Sequence, residues 1–276
     1  MHTEEELEAI IDRYAKKSKR LDRIIKQSDK QQLQLLKLNN KIEEQKAELT
    51  KLYNYDVQQQ LTAKEKLESL IVNDVNNQTQ IVFKASDILS GDYYSVFKLK
   101  DGGKLLYLID GQGHGVAPAL TIHGVCTTML TLIETCESFE SFIAKIFTEI
   151  RKFLGDIEQL SFTLIHISAD ATKVNYVSGG MYPFLIQDGG VISKHKANNL
   201  PFMEFSPLPK VKTVECSSFE SLIVYSDGLV EDISEDLEKF TPEEILKDET
   251  AIESLNATIA DKEFEDDITV IRYVND

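Results

Sequence analysis

The sequence contains no tryptophan, and its first 90 residues contain neither glycine nor proline. All 13 glycines and all six prolines come later in the chain. Because glycine and proline are the residues that most readily interrupt a helix, their absence permits one long helix in the first part. Turns and close backbone approaches are expected in the second part.

Cysteine is also scarce, with three residues at positions 126, 136 and 216 and no metal-ligand spacing among them. An odd number without such spacing argues against a disulfide framework and a zinc site, so we expect reduced core thiols. No apolar run approaches the ~20 residues that span a bilayer. The first residues, MHTEEELEAI, lack the apolar segment of a secretory signal. These absences predict a cytoplasmic protein with no transmembrane segment.

Positive charge is depleted in the second part of the chain. Residues 1–80 contain 14 acidic and 14 basic side chains, whereas residues 81–276 contain 32 acidic and 16 basic ones, so the net charge of −16 belongs to the second part. Arginine occurs there only as Arg151 and Arg272. Since nucleic acids bind to basic surfaces, the composition predicts no nucleic-acid partner. To bind a phosphate group, residues 81–276 would need a bound cation in addition to their own side chains.

The first part shows an apolar repeat of seven residues. Its members are Leu7, Tyr14, Leu21, Leu35, Ile42 and Leu49, and Ser28 interrupts the series. Neighbouring positions are filled by Ile10, Ile24, Leu38 and Leu52, or by Ile11, Ile25 and Tyr53. This narrow seam, over about seven heptads, predicts a helical coiled coil that pairs with a second copy, so we expect a homodimer. Packing of the helix on its own globular domain is the alternative, and residues 63–75 read as a last helix leading into that domain.

The second part alternates between short apolar strands and helices. Strands are expected at 79–86, 94–100, 104–110, 161–168, 173–179, 184–187, 190–195, 221–228 and 268–274. Helices are expected at Val116–Cys136 and Phe139–Leu154. A third helix is expected after Thr241, which is its cap, with Pro242 in the first turn and Glu244 completing a capping box. Tight-turn residues join several strands as hairpins, so we expect antiparallel sheets in an α+β sandwich with helices packed outside.

Aspartates stand at the edges of four apolar strands. Asp92 precedes the second strand, Asp110 follows the third, Asp227 follows a late one, and Asp266 and Asp267 precede the last. A single strand-end aspartate is ordinarily a turn or cap residue. Strand ends on one side of a sheet converge, and carboxylates brought together need a cation. Oxygen-only ligands predict a hard cation such as Mg²⁺ or Mn²⁺, and two such ions can clamp a phosphate.

Four segments of the second part are recognisable, and three of them contain these aspartates. They are SGDYYSVFKLKDGGKLLYLIDGQGHGVAPAL (90–120), NYVSGGMYPFLI (175–186), LIVYSDGLVE (222–231) and DDITVIRY (266–273). Together they resemble the PPM-type metal-dependent serine/threonine phosphatases, and most closely the SpoIIE-like bacterial regulators of sporulation and stress sigma factors, over about residues 80–275. The resemblance implies an αββα sandwich with a binuclear Mn²⁺ or Mg²⁺ centre. We accordingly expect a coiled-coil dimerisation and regulatory segment at 1–76 and a SpoIIE-like phosphatase domain at 77–276.

By motif position, the resemblance implies a role for each acidic residue. Asp110 would bridge the two metals, and Asp92 and the Gly111 carbonyl would bind one of them. Asp227 and Asp266 would complete the other metal site. The implied reaction is direct attack of metal-activated water on a phosphoserine or phosphothreonine, with Asp110 and Asp227 acting through that water and no covalent intermediate.

The remaining polar residues of the motifs receive supporting roles. Asp267 falls where relatives carry Asn or Asp, so we expect it to lie outside the metal ligands and support them. His114 differs in position from the histidine of the DGHG order in eukaryotic relatives, and a loop-shaping role is expected for it. His123 and His166 lie in apolar stretches and are expected in the core. The scarcity of arginine predicts that the metals hold the phosphate nearly alone.

Three functions are compatible with these features. The first is an active phosphatase of a phosphoprotein, by resemblance an anti-sigma-factor antagonist, regulated through the N-terminal helix. The second is a catalytically inactive pseudo-phosphatase that acts as a dimeric signalling adaptor, although every expected acidic ligand is present. The third is a nucleotidyl cyclase, which also uses paired aspartates, but the sequence lacks a GGDEF-like hairpin and a basic triphosphate site.

Overall fold

A computed structural model of the chain describes residues 4–74, 77–113, 115–133, 135–152, 154–155, 158–231, 237 and 239–275. The chain divides into two compact units, Met1–Gln58 and Gln59–Asp276. The described part of the first unit is helical, and the described strands belong to the second. The sequence-based division between residues 76 and 77 stays a prediction about where the phosphatase domain begins.

Helix α1 extends without interruption from Glu4 to Glu68. The long N-terminal helix predicted from the missing glycine and proline is therefore confirmed. Its seam residues are exposed in the single chain, Leu21 and Leu35 at 59% each. The prediction of helix over 63–75 is wrong beyond Glu68, because the apolar residues at 70–72 pack on the core of the second unit and the backbone there becomes extended.

In the described part of the second unit, the strands form two antiparallel five-stranded sheets. Sheet A has the order β2-β3-β4-β5-β8, with β2 at Asp92–Lys98, β3 at Lys104–Gly111, β4 at Leu160–Ile167, β5 at Lys173–Gly179 and β8 at Lys212–Glu215. Sheet B has the order β1-β10-β9-β6-β7, with β1 at Thr79–Lys84, β10 at Ile268–Val274, β9 at Phe219–Tyr225, β6 at Phe184–Asp188 and β7 at Val191–His195. The strand pairs are antiparallel, as the hairpin signals predicted.

Helices cover the outer faces of both sheets. They are α2 (Val116–Ile133), α3 (Phe139–Ile150), the short α4 (Gly228–Glu231), α5 (Pro242–Lys247) and α6 (Glu249–Ile259). One core cluster joins α2 and α3 to sheet A, a second lies between the sheets, and a third joins sheet B to α5 and α6. The predicted αββα sandwich is confirmed.

Strand β3 shows why the central run of residues is continuously apolar. Leu105, Tyr107 and Ile109 face α2 and α3, whereas Leu106 and Leu108 face sheet B. Because alternate residues of a strand point to opposite faces, a strand covered on both sides needs apolar residues at every position. Asp110 therefore lies near the end of a strand whose preceding residues, Leu105 to Ile109, are buried.

Local signals explain some element boundaries and leave others unpredicted. Thr241 caps α5, accepts a hydrogen bond from the Glu244 backbone and completes the predicted capping box. Helices α2 and α3 end at Ile133 and Ile150, earlier than predicted. Strand β8 and helices α4 and α6 were not predicted, because β8 is largely exposed and polar and α4 is a single turn.

Helix α2 is long and apolar enough to cross a membrane by length and composition, with a mean hydropathy of 1.6 over 18 residues. Its buried residues, Ala119, Ile122, Val125, Cys126 and Met129, face the protein core. It therefore packs as a core helix does, with one face on the domain.

The two histidines expected in the core have different environments. The expectation that His123 is buried is wrong, because it lies on the exposed face of α2. His166 is half-buried against the Phe139 ring.

Candidate metal centre

Strands β2 and β3 bring two of the predicted ligands face to face. Asp92, the first residue of β2, is the register partner of Asp110 near the end of β3. This pairing follows from the tight hairpin at 101–103, where Gly102 has a φ of +90°. Gly111 pairs next with Leu160 of β4, so its backbone is fixed by the centre of sheet A. The sheet therefore presents two carboxylates and the Gly111 backbone at one end of the sandwich.

Asp92 is almost completely buried, with 4% of its surface exposed. One carboxylate oxygen accepts a 2.6 Å hydrogen bond from the Thr269 hydroxyl, which reaches across from β10. Burial raises the pKa of Asp92 well above its usual value, and the charge of Asp110 raises it further. A buried carboxylate next to another one is a costly arrangement unless a proton or a cation neutralises it.

Asp110 is the residue on which the other carboxylates converge. Burial and the charges of Asp227, Asp266 and Asp267 together raise its pKa to about 7, and the Ser161 side chain opposes this shift. The two sheets thus place acidic groups at the same end of the sandwich, where their charges act on one another. Positive charge introduced there would act on several carboxylates at once.

The ends of β9 and β10 supply the second pair of acids. Asp227 follows β9, and burial raises its pKa, helped by the charges of Asp266 and Glu231. Asp266 precedes β10 and accepts a 2.8 Å hydrogen bond from the Asp267 backbone. Gly228 begins α4 in close contact with the Asp267 carbonyl, at a position where a Cβ atom would overlap that oxygen. The missing side chain lets α4 sit against the strand end.

Asp267 has a different environment from the other acids. One of its oxygens accepts hydrogen bonds from the Ser86 backbone and hydroxyl, at 2.7 and 3.0 Å. The other accepts from the Ser90 hydroxyl and the Gly91 backbone, both at 2.7 Å, and from the Asp92 backbone at 3.3 Å. Both oxygens are therefore committed to the loop that leads into β2. Its supporting role outside the metal ligands stays a prediction.

Glycine allows two loops to approach each other beside the acids. A Cβ atom on Gly91 would lie 2.7 Å from the Gly113 carbonyl and 2.8 Å from the Gly111 carbonyl, closer than side chains tolerate. Gly113 has a φ of +86°, which glycine adopts without strain. The loop after β3 can therefore fold over the start of β2. The predicted role of His114 cannot be placed, since it lies outside the described residues.

The two arginines of this unit serve other contacts. Arg151 donates a 2.6 Å hydrogen bond to the Ser206 carbonyl. Arg272 donates to the Gln80 side chain and to the Leu246 carbonyl.

Thr269 and Ser161 are the site residues that sequence reasoning missed. A polar residue inside an otherwise apolar strand was the available signal for each of them.

The donor chemistry of the cluster fits hard cations. Every side chain predicted as a ligand is a carboxylate, and Gly111 adds a carbonyl, which are oxygen ligands that Mg²⁺ and Mn²⁺ prefer. Over the described ranges, however, no three His, Cys, Asp or Glu side chains are close enough to form a metal-binding group. The carboxylates thus share one end of the sandwich and act on one another electrostatically, but they do not form a closed cage.

Comparison with solved structures defines the class to which this fold belongs. The SiaA PP2C domain of Pseudomonas aeruginosa superposes with a TM-score of 0.65 at 15% identity, covering 81% of this chain and 98% of that one. The PP2C phosphatase domain of SpoIIE from Bacillus subtilis, solved with a fragment of its regulatory domain, gives 0.57 at 22% identity, covering 72% and 63%. The second unit therefore has the PP2C phosphatase fold.

Sequence comparison then gives the family. Residues 100–273 match the family model of stage II sporulation protein E (SpoIIE), so the chain belongs to this family. The phosphoserine phosphatase RsbP of Bacillus subtilis (strain 168) is 25% identical over 186 residues, which cover 62% of this chain. The matched region spans 45% of the length of RsbP. PP2C-type phosphatases are metal-dependent in general, which agrees with the donor chemistry of the cluster.

Proposed function

We propose that this protein is a metal-dependent protein serine/threonine phosphatase. The observation that carries the proposal is the convergence on Asp110 of the charges of Asp227, Asp266 and Asp267, with Asp92 in register on the adjacent strand. Family membership and the names of the relatives support the same activity. Carboxylates gathered in this way are stabilised by divalent cations, and a phosphate group is stabilised by the same ions.

Within this proposal the ligands come from the ends of four strands, β2, β3, β9 and β10. Asp110 would lie between two ions, with Asp92 and the Gly111 carbonyl on one side and Asp227 and Asp266 on the other. When bound, Mn²⁺ or Mg²⁺ would activate the attacking water and neutralise the phosphate. The Thr269 hydroxyl fixes one oxygen of Asp92, which limits the orientations that this carboxylate can adopt.

The chain's own residues also determine how the phosphate is held. The described contacts of Arg151 and Arg272 are with other parts of the fold, so we infer that the cations provide most of the positive charge at the site. The net charge of −16 would otherwise repel a phosphate. Activity should therefore depend more steeply on the cation than it would in an enzyme with an arginine clamp.

Hydrolysis of p-nitrophenyl phosphate tests the proposal, because this small substrate requires the metal centre but not protein docking. The purified full chain should release nitrophenol in Mn²⁺ or Mg²⁺ and lose this activity in EDTA. Restoration of activity by excess Mn²⁺ is the control for damage by the chelator. Absence of hydrolysis across Mn²⁺ and Mg²⁺ concentrations would contradict the proposal.

An inactive, adaptor-like pseudo-phosphatase is the second candidate. The observation that favours it is that the described carboxylates do not form a closed metal-binding group. An adaptor would bind a phosphoprotein without releasing phosphate from it. The p-nitrophenyl phosphate experiment separates the two functions directly.

We further propose a phosphorylated signalling protein as substrate, specifically a phosphoserine form of an anti-sigma-factor antagonist. Support comes from the relative RsbP, named a phosphoserine phosphatase, and from a matching structure described under the bacterial stressosome, a modular system adapted to control secondary messenger signalling. We place the reaction in the cytoplasm. Mass spectrometry of phosphopeptides in cells with and without this protein would identify the substrate.

The exposed seam of α1 supports a regulatory homodimer. An isolated helix with Leu21, Leu35 and their heptad partners exposed to water gains stability by burying them against a second copy. We propose that residues 1–76 mediate this pairing and transmit a signal to the phosphatase domain.

A further inference from the structure

The loop of residues 199–208 exposes large apolar side chains to solvent. Leu200 is 80% exposed and Phe205 is 83% exposed, and Met203 and Leu208 are exposed at 37% and 40%. Single apolar residues are common on protein surfaces, but several on one short loop form a patch. Such patches on soluble domains often mark contact with another molecule.

This loop borders the cluster of carboxylates. Phe202 pairs with Leu160 through two backbone hydrogen bonds of 2.9 Å, and Leu160 is the register partner of Gly111. The next residue of β4, Ser161, is the register partner of Asp110. A Cβ atom on Gly180 would meet both Ser161 and Pro201, which places the start of the loop against the same strand end. The loop is thus one strand away from the proposed ligands Asp110 and Gly111.

The loop is held in place by contacts that do not involve the side chains of Leu200 and Phe205. The Arg151 guanidinium lies over the Phe202 ring at 5.6 Å from its centroid and donates a 2.6 Å hydrogen bond to the Ser206 carbonyl. The Ser206 hydroxyl accepts from the Met203 backbone at 3.0 Å. At the other end, Asn199 accepts a 2.8 Å hydrogen bond from the Lys210 backbone. A fixed loop can present Leu200 and Phe205 at little further cost in conformational entropy.

Exposed apolar residues outside this loop also lie near the acids. Val230 of α4 is 39% exposed and Tyr182 is 37% exposed. The Tyr182 hydroxyl donates a 2.8 Å hydrogen bond to Glu231, whose charge acts on Asp227. The carboxylates are therefore flanked by exposed apolar residues from two separate elements.

We propose that the 199–208 loop is the docking surface for a phosphoserine-bearing segment of a protein substrate, with Leu200 and Phe205 as its apolar anchors. The inference rests on the proposed phosphatase function and adds the chemistry of the substrate. The segment should carry leucine or another large apolar residue near the phosphoserine. Because residues 81–276 contain twice as many acidic as basic side chains, its other neighbours should be basic rather than acidic.

Paired peptides provide a test in which each enzyme is its own reference. Two synthetic phosphoserine peptides of about ten residues, both with flanking lysines, would differ only by leucines or serines on either side of the phosphoserine. The full chain should hydrolyse the leucine peptide with a kcat/KM about tenfold above that of the serine peptide, as expected for apolar anchors. In the double variant Leu200→Ser with Phe205→Ser, this ratio should fall close to one.

Val191→Ser is the matched control, since Val191 is 67% exposed at the start of β7, away from the carboxylates in sequence and sheet position. This variant should keep the preference for the leucine peptide. A double variant with the same preference as the unmutated protein would overturn the docking proposal. So would an unmutated protein without any preference between the two peptides.

Binding measured by fluorescence anisotropy of the same labelled peptides keeps the two proposals distinguishable. If p-nitrophenyl phosphate is not hydrolysed but the leucine peptide binds more tightly than the serine peptide and loses this advantage in the double variant, the phosphatase function fails and the docking surface stands. If p-nitrophenyl phosphate is hydrolysed and no peptide preference is found, the phosphatase function stands and the docking surface fails.

Discussion

Asp267 shows how one acidic residue can organise a loop beside the proposed site through hydrogen bonds. Its two oxygens accept hydrogen bonds from Ser86, Ser90, Gly91 and the Asp92 backbone. Carboxylates that accept several backbone hydrogen bonds are strong local anchors. Asp92 is the proposed ligand at the end of this loop, so its position depends on Asp267.

Replacing Asp267 should therefore destabilise the metal-free protein. Asp267→Ala leaves several buried donors without an acceptor, and we expect a loss of about 2–4 kcal/mol in the free energy of unfolding. Asp267→Asn retains one acceptor oxygen and should lose less. Urea denaturation in EDTA measures both.

Asp170→Ala is the control for this experiment. Asp170 also accepts from neighbouring residues, Ser168 and Thr172, but in an exposed turn. Its replacement should cost less than about 1 kcal/mol. Equal losses for Asp170→Ala and Asp267→Ala would show that the buried network has no special role.

At single positions, the sequence indicated the candidate site residues better than it indicated their contacts. The aspartates could be found because carboxylates beside apolar strands stand out, and the hairpin at 101–103 predicts that Asp92 and Asp110 come together. The contact of Thr269 with Asp92 could not be predicted, because it joins residues of different sheets. The exposure of His123 depends on which face of α2 packs on the core, and an almost uniformly apolar helix does not reveal that face.

Helix α1 provides the clearest prediction for a single element. Leu21→Lys with Leu35→Lys places two charges in the seam, so a dimer held by this seam should dissociate. Light scattering should give the mass of a dimer for the unmutated chain and of a monomer for the variant. Asn40→Lys with Ala47→Lys adds the same charge on the opposite face of the heptad and should leave the dimer intact.

Activity of the same variants tests whether the helix regulates the enzyme. If pairing of α1 transmits a signal, the monomeric variant should differ from the unmutated chain in phosphatase turnover while still responding to Mn²⁺ in thermal unfolding. The Asn40→Lys and Ala47→Lys variant should keep the original turnover. Identical turnover in a verified monomer would contradict regulation through this helix.

Elements were predictable where turn and capping chemistry was local. The Thr241 capping box and the hairpins of sheet A follow from a few adjacent residues. Strand β8 was missed because its alternation of exposed polar residues resembles a loop, and its place beside β5 depends on residues far away in the chain. Helix α6 follows α5 with Asp248 as its cap, so the two read as one continuous segment.

For the molecule as a whole, the cluster of acids predicts an unusual pH dependence when no metal is present. The raised pKa values of Asp92 and Asp110, the latter about 7, mean that the folded state holds protons that the unfolded chain releases above the ordinary value of 3.8. Stability should therefore fall as pH rises from the unfolded pKa towards the folded one and level off above it. The loss should be on the order of 2–4 kcal/mol.

Thermal unfolding in EDTA between about pH 5 and about pH 7.5 measures this dependence, and the melting temperature should decrease by roughly 5 °C or more. Asp110→Asn removes one titrating group and should flatten the curve. A melting temperature that rises over this range in EDTA would contradict the proposed repulsion among the carboxylates.

Added Mn²⁺ should reverse the loss at neutral pH. A ligand that binds only the folded state at a hundred times its dissociation constant contributes about 2.7 kcal/mol. The melting temperature at neutral pH should therefore rise by several degrees and return on addition of EDTA. Calorimetry that shows no shift at millimolar Mn²⁺ would argue against a metal centre in this cluster.

The central proposal is that Asp110 is a ligand of a metal centre that hydrolyses phosphate esters. Its most direct test is the Mn²⁺-dependent release of phosphate from a phosphoserine peptide by the unmutated chain and by Asp110→Asn, with circular dichroism to show that both are folded. The unmutated chain should be active and sensitive to EDTA, and Asp110→Asn should be folded but inactive, with metal-free stability equal to or above that of the unmutated chain. Mn²⁺-dependent activity retained by Asp110→Asn would contradict the account.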